Sequence, residues 1–173
     1  MKSTLKDLKK RRSIRKYKPE QITDEELDAI LEAGTYAPTG MGTQAVKLVV
    51  VQNKTIISKL QHLNAAVLNN PKAKPFFGAP TVVNVLVDSS KVTPVENGSL
   101  VIGNMLNAAA ALGIGSCWIN RAREVFATDE GKGYLKKWGI PEEYIGVGHV
   151  ILGYPDEDPL AAPRKAGYIV KIK

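Results

Sequence analysis

Short apolar runs typical of buried strands alternate with longer helical segments, and this alternation constrains the fold more than any other feature. The predicted strands are Val46–Gln52, Thr81–Asp88, Ile114–Ile119 and Ile145–Leu152. The predicted helices are residues 3–11, 23–34, 54–68, 100–112 and 123–138, with a loop at 72–77. We therefore expect an α+β fold in which a few central strands carry helices on their faces.

The start of the second predicted helix carries a clear local signal. Thr23 precedes Glu26 by three residues, which is the spacing of a capping box, in which each side chain satisfies the other residue's free backbone N–H. Ile22 and Leu27 occupy the positions of a hydrophobic staple around that cap. Thr23 is therefore predicted as the residue that caps this helix.

The composition is that of one ordinary globular domain, residues 1–173. Of the 173 residues, 44% are hydrophobic and 24% are charged, and no apolar run approaches the ~20 residues that a membrane span needs. The single cysteine excludes an internal disulfide, and the two histidines are too far apart in sequence to indicate a metal centre. The lysine-rich amino terminus lacks the apolar stretch of a secretory signal, so we expect a cytoplasmic protein with no metal and no membrane partner.

The net charge of +7 is concentrated at the two ends of the chain. Residues 1–18 hold nine basic side chains and one acid, and residues 159–173 hold four basic side chains and no acid. Residues 19–158 hold eleven basic and sixteen acidic side chains. Because the ends of a domain often lie close together, one interpretation is that both basic segments meet at one anionic group. The other interpretation is that they are solvated tails that aid solubility.

A basic segment, Arg11-Arg12-Ser13-Ile14-Arg15-Lys16-Tyr17, follows the first helix. Arginine offers a planar fork of donors that suits a phosphate or a ring carbonyl, and serine adds a short hydroxyl donor. Three arginines and one serine within five residues can surround an anion. A basic patch for solubility or for nucleic acid is the alternative that this segment alone leaves open.

An irregular loop, Tyr36-Ala37-Pro38-Thr39-Gly40-Met41-Gly42-Thr43-Gln44, joins a helix to a strand. Such a loop exposes backbone N–H groups and lets a flat ligand approach closely. Gln44 can donate to and accept from the edge of a heteroaromatic ring. No Gly-Lys-Ser/Thr follows, so the loop is not a phosphate-binding P-loop, and a plain connection is the alternative.

Two further segments have composition that suits a ligand. Leu112-Gly113-Ile114-Gly115-Ser116-Cys117-Trp118-Ile119 carries small residues and then an aromatic side chain, which suits either the core or a place beside a flat cofactor. Pro163-Arg164-Lys165 presents two basic side chains on a restricted backbone, with a disordered basic tail as the alternative. Cys117 is interpreted as a small buried apolar residue.

In this order and at these distances, the four segments resemble those of the nitroreductase family of FMN-dependent oxidoreductases, over nearly the whole chain. The resemblance implies a central, mostly antiparallel β-sheet flanked by helices, in an intertwined homodimer with two sites at the interface. It also implies bound FMN, NADH or NADPH as the electron donor, and ping-pong transfer to nitroaromatic, quinone or similar organic acceptors. The flavin would carry the chemistry, so no catalytic side chain is expected.

The family pattern implies a role for each segment. The residues that match the site of the FMN phosphate, ribityl chain and pyrimidine edge are Arg11, Arg12, Ser13 and Arg15, with Arg164 and Lys165 at the phosphate. The residues that match a loop over the flavin of the other subunit are Pro38, Thr39, Gly40 and Met41, with Gln44 near the ring. The residues whose backbone would pack against one flavin face are Trp118, Ile119 and Asn120.

The loop departs from the family pattern, and other functions stay open. Gly42 stands where the family often has Asn, and Ala45-Val46 replaces a Pro-Trp pair, which implies fewer contacts to the flavin and a roomier acceptor pocket. One alternative is a flavin-binding protein of the same fold with a different reaction, dehalogenase-like or sensory. The other is a basic nucleic-acid-binding protein, which the aromatic content of 6% and the acidic middle disfavour.

The resemblance predicts that Arg12→Ala weakens FMN binding strongly. The loss of one charge-assisted hydrogen bond to the phosphate costs ~1.5–3 kcal/mol. Retention of flavin on a desalting column measures the effect, and retention equal to that of the unchanged protein would contradict the assignment of Arg12.

Overall fold

The structure, a computed structural model, describes residues 3–173, and its helices and strands follow the predicted order. They are α1 (Ser3–Lys10), α2 (Asp24–Thr35), β1 (Val46–Val51), α3 (Lys54–Val67), β2 (Thr81–Asp88), α4 (Pro94–Ala111), β3 (Gly115–Ile119), α5 (Ala122–Ala127), α6 (Asp129–Lys137) and β4 (Tyr144–Gly153). Within residues 3–173, no helix has both the length and the apolarity that crossing a membrane requires. The expected α+β class is confirmed.

The four strands form one sheet in the order β1-β2-β4-β3, and all three pairings are antiparallel. The two central strands, β2 and β4, pair along almost their whole length, with a bulge at Val85/Leu86, where the register passes from Gly148 to Gly146. This sheet confirms the mostly antiparallel arrangement that the resemblance implies.

Both faces of the sheet are covered by helices. All eight residues of β2 are buried, because alternate side chains enter two separate hydrophobic clusters. Val83, Val85 and Val87 face the cluster that contains the apolar sides of α2 and α4. Val82 and Leu86 face the cluster beneath α3, α5 and α6. A strand buried on both faces shows a continuous apolar run, which is the pattern of β2 in the sequence.

Glycine lets α4 approach the sheet closely. A Cβ on Gly98 would lie 2.6 Å from Val147 Cγ2, and a Cβ on Gly148 would collide with the indole of Trp118 and lie 2.9 Å from Ile102 Cδ1. The missing side chain at Gly148 leaves the space beside β4 in which the Trp118 ring lies. Gly148 therefore fixes where this aromatic residue sits.

The predicted capping box is confirmed, and it is joined to the end of β4. The backbone N–H of Thr23 donates to Glu26 Oε2 at 2.9 Å, and the N–H of Glu26 donates to Thr23 Oγ1 at 3.2 Å. Tyr154 also donates its hydroxyl to Glu26 Oε2 at 2.8 Å. The Thr23 N–H, and after it the Tyr154 hydroxyl, lower the pKa of Glu26, and the hydrogen bond to the Glu26 carboxylate raises the pKa of Tyr154.

Two helix boundaries differ from the sequence-based expectations. Helix α4 begins at Pro94 rather than residue 100, because proline is favourable in the first turn, where its missing N–H is not needed. The segment predicted as one helix over 123–138 is divided at Thr128, whose backbone is extended. Thr128 ends α5 and caps α6, since its hydroxyl accepts from the N–H of Gly131 at 3.0 Å.

A polar pair lies in the middle of the apolar sheet. Asn84 and His149 face each other across β2 and β4, both fully buried, with 2.8 Å between His149 Nδ1 and Asn84 Oδ1. Asn84 Nδ2 donates to Val49 O, so its Oδ1 is the acceptor and His149 Nδ1 carries the proton. Burial, and secondarily the charge of Arg121, lowers the pKa of His149 from 6.5 to about 3.

This depressed pKa predicts that the folded protein loses stability in mild acid. Between pH 6.5 and about 3 the unfolded chain binds a proton at His149 that the folded chain does not, so stability falls as the pH falls. The contribution of one such group is at most about 1.4 kcal/mol per pH unit. Urea unfolding at several pH values measures it, and His149→Leu should remove this part of the slope. His62→Gln, a change on the exposed side of α3, should retain it.

Candidate functional site

The basic segment after α1 lies along the outer edge of β3. Ser13 pairs with Ser116 in a parallel bridge, and the Ile14 N–H donates to Ser116 O at 2.9 Å. Farther along, Tyr17 pairs with Pro155, just beyond the end of β4. The segment is therefore held between the edge strand and the chain that leaves the sheet.

Tyr17 anchors this segment. Its hydroxyl donates to Ile14 O at 2.6 Å, and this hydrogen bond spans Arg15. Burial, followed by the neighbouring Cys117 and Glu157, raises the pKa of Tyr17 above its usual value. The hydroxyl therefore remains a proton donor across the physiological range and holds Arg15 at a fixed place.

Arg11 and Arg12 line an open cleft beside the end of α1, which we call the amino-terminal cleft. Arg12 donates through Nη1 to Lys9 O at 2.8 Å and to Arg11 O at 2.6 Å, and its Nε is buried with no partner among residues 3–173. The cleft also contains acidic side chains, Glu157 and Asp158 among them. The Glu157 carboxylate accepts the backbone N–H of Arg15. Both signs of charge thus meet in the amino-terminal cleft.

A second open cleft of about 380 Å³ lies at the end of β3, and we call it the strand-end cleft. Its cations come from Arg15, Lys74 and Arg121, and within residues 3–173 no Asp or Glu is among its lining residues. Two aromatic residues, Trp118 and Phe77, are among them, and these are 38% and 40% exposed. This combination suits a flat ligand that carries negative charge.

The loop from Pro38 to Gln44 forms a third region. Its backbone has positive φ at Met41, Gly42 and Gln44, and Met41 is 90% exposed. The Thr39 hydroxyl accepts the Gln44 N–H at 3.0 Å. Thr39 and Gln44 line a small cavity of about 140 Å³ beneath the loop. The loop is therefore shaped by its own hydrogen bonds although it projects from the surface.

The structure brings together some of the predicted site residues and separates others. The strand-end cleft contains Arg15, Trp118, Ile119 and Asn120, and the amino-terminal cleft contains Arg11 and Arg12, with Ser13 between the two. Neither cleft is lined by the loop residues or by Arg164 and Lys165. Arg164 lies on an exposed extended tail and donates to Ala162 O at 2.7 Å. Within one chain, Arg164 therefore does not join Arg11 in the amino-terminal cleft.

Four residues that the sequence-based interpretation did not single out contribute to these regions. Lys74 and Arg121 line the strand-end cleft. Asn97 lies beneath the loop, and Asn64 lies beneath the Asn120–Arg121 turn. Asn64 interrupts the apolar period of the helix predicted over 54–68, and this interruption was the available signal. Asn97 lies in the first turn of α4, before the predicted start at residue 100, so the apolar pattern gave no signal there.

Asn97 fixes the loop to α4. Its Oδ1 accepts the Gly40 N–H at 2.8 Å, and its Nδ2 donates to Val92 O at 3.0 Å. Asn97 is 4% exposed, so both groups are bonded away from water. A Cβ on Gly40 would collide with the Thr93 hydroxyl, so only glycine lets the loop backbone reach this anchor.

Comparisons with known proteins agree with this geometry. Residues 8–154 match the profile of the nitroreductase family. A relative from Archaeoglobus fulgidus, provisionally named an NADH dehydrogenase/NAD(P)H nitroreductase, is 33% identical over 162 residues, which cover 91% of this chain and 88% of the relative. A crystal structure of a nitroreductase with bound FMN from Bacteroides fragilis has a TM-score of 0.90 at 32% identity, with full coverage of both chains. Another, from Desulfitobacterium hafniense and also with bound FMN, has a TM-score of 0.90 at 27% identity, again with full coverage.

The anchor predicts that Asn97→Leu releases the loop. The Gly40 N–H loses its acceptor, so amide hydrogen exchange over residues 39–44 should accelerate and stability should fall by about 1–3 kcal/mol. Asn104→Leu is the matched control, because Asn104 lies on the same helix and donates to Ala33 O in α2. Exchange in the loop that is equal in both variants would contradict the role of Asn97.

Proposed function

Since the chain belongs to the nitroreductase family, we propose that it is an FMN-dependent NAD(P)H oxidoreductase that passes electrons to nitroaromatic, quinone or similar organic acceptors. The observation that carries this proposal is the strand-end cleft, whose described lining residues include three cations and two aromatic residues and no Asp or Glu. Two similar crystal structures contain FMN, and the relative from Archaeoglobus fulgidus is named for NAD(P)H.

The residues of the two clefts fit FMN, which joins a flat aromatic ring to an anionic phosphate. The exposed edge of Trp118 offers an apolar surface to a ring, and Arg15 and Arg121 offer donors to ring carbonyls. The buried Nε of Arg12 is a donor without a partner among the described residues, and a phosphate oxygen would satisfy it.

When bound, FMN would supply the redox chemistry, which is ping-pong transfer of electrons from NADH or NADPH to the organic acceptor. The protein binds the cofactor and orients it. Arg15, next to the hydrogen bond from Tyr17 to Ile14, and Lys74 place positive charge where negative charge would develop on the ring. Trp118 and Phe77 exclude water from the sides of the cleft, which strengthens these electrostatic interactions.

We further propose a homodimer in which one copy completes the site of the other. The support is a set of exposed apolar residues on the loop and the tail: Met41 at 90%, Leu160 at 95%, Tyr168 at 84% and Ile172 at 92%. Single exposed apolar residues are ordinary, but a whole segment of them indicates a partner surface. Arg164 and Lys165 on this tail would then reach the phosphate held by a second copy. The single domain and the cytoplasmic location stay predictions.

The function predicts a yellow protein that releases FMN on denaturation. Under anaerobic conditions NADH or NADPH should bleach the bound flavin, and a nitroaromatic or a quinone should restore its colour. Sedimentation should give twice the mass of one chain. A protein that holds FMN but is bleached by neither nucleotide would support the flavin-binding alternative, and a colourless protein would contradict the proposed cofactor.

The site also offers a matched pair of variants. Lys74→Gln removes a cation from the strand-end cleft, whereas Lys72→Gln removes one from the same loop, outside the cleft-lining set. We expect weaker FMN binding in the first variant only. Equal FMN affinities in the two variants would argue against the strand-end cleft as the binding site.

A further inference from the structure

Asn64 is a fully buried polar residue on the face of α3 that otherwise packs into the core. Leu60, one turn earlier, is also fully buried and belongs to the hydrophobic cluster under α3. An unpaired amide at such a position is strongly unfavourable, so the side chain must have partners.

The partners of Asn64 are the two residues of one turn. Its Nδ2 donates to Asn120 O at 2.8 Å, and its Oδ1 accepts from Arg121 Nε at 3.0 Å. A carbonyl can only accept and a guanidinium N–H can only donate, so the orientation of the amide is unambiguous. The side chain of α3 therefore closes a clamp on the segment that follows β3, 56 and 57 residues away.

The clamped turn has a backbone conformation that needs support. Arg121 has φ 74° and ψ 10°, in the left-handed region that non-glycine residues rarely adopt. Such conformations persist when surrounding contacts hold them, and they concentrate at functional sites. For Arg121 the clearest such contact is its bond to Asn64.

The same turn forms one side of the strand-end cleft, where both Asn120 and Arg121 are lining residues. The charge of Arg121 also reaches the interior, because it helps to lower the pKa of the buried His149. The guanidinium thus lies between the core and the cleft, and its direction depends on the bond to Asn64.

We propose that Asn64 is a positioning residue of the strand-end cleft, because its amide clamps the Asn120–Arg121 turn in the geometry that the bound cofactor meets. The inference rests on the proposed function, in which this cleft binds FMN. Asn64 acts through the turn and does not itself line the cleft.

The test compares three variants by FMN titration of the apoprotein, by the circular dichroism of the bound flavin and by apoprotein melting. Asn64→Leu keeps the approximate volume and removes both bonds, and we expect FMN affinity to fall about tenfold and the flavin dichroism to change. Asn64→Asp keeps the acceptor for Arg121 and removes the donor to Asn120, so its loss should be smaller. Asn64→Asp also serves as the test variant if the Asn64→Leu protein does not fold.

Leu60→Val is the control for a structural role, because it changes a buried side chain on the same face of α3 that makes no hydrogen bond to the turn. We expect it to lower the melting temperature and leave FMN affinity and flavin dichroism unchanged. If Asn64→Leu lowers only the melting temperature, as this control does, the positioning role is wrong.

A double-mutant cycle tests the route of the effect. Glycine adopts φ 74° without strain and carries no guanidinium, so an Arg121→Gly protein has little need of the bond from Asn64. In that background, Asn64→Leu should lower the FMN affinity by a smaller factor than it does in the wild type. An equal cost in both backgrounds would overturn the proposal.

Failure of the proposed function gives a different result. If the wild-type protein binds no FMN, the proposed function is overturned. Amide hydrogen exchange at residues 120–122 of the apoprotein then tests whether Asn64 holds the Asn120–Arg121 turn. Faster exchange in Asn64→Leu than in Leu60→Val supports the clamp, and equal exchange overturns it.

Discussion

The antiparallel pairing of β2 with β4 is the interaction on which the other elements depend. These central strands are buried on both faces, so each helix layer packs against them and each outer strand takes its register from one of them. The Asn84–His149 pair lies inside this interface, and a one-residue slip would leave His149 Nδ1 and Asn84 Oδ1 buried without each other as partners. The register of the sheet is therefore fixed by a hydrogen bond as well as by apolar burial.

Buried polar side chains join the elements that form the candidate site. Asn97 connects α4 to the loop at Gly40, and Asn64 connects α3 to the turn at Arg121. Each side chain is costly to bury and is retained where two bonds satisfy it. The irregular backbone around the clefts is in this way attached to regular elements, which gives the loops defined positions.

The elements themselves could be predicted to a large extent from the sequence. The periodicity of the apolar residues indicated every strand, and the Thr23–Glu26 spacing indicated the cap of α2. The break at Thr128 was missed, because periodicity contains neither the cap that Thr128 gives to α6 nor the close packing of Gly131 against the backbone of Val125 and Phe126. The start of α4 was missed because its first turn is polar, and an apolar pattern alone does not reach it.

The order of the elements and the residue types of the candidate site follow from the amino-acid sequence, because periodicity and donor chemistry are local properties. Which of those residues meet depends on the tertiary structure. Along an extended segment successive side chains point in opposite directions, so pairing with the edge of β3 places Ile14 in the amino-terminal cleft and Arg15 in the strand-end cleft. The chain then adds Lys74 and Arg121 to Arg15 from loops distant in sequence, since folding brings their strand and helix ends to the same edge of the sheet.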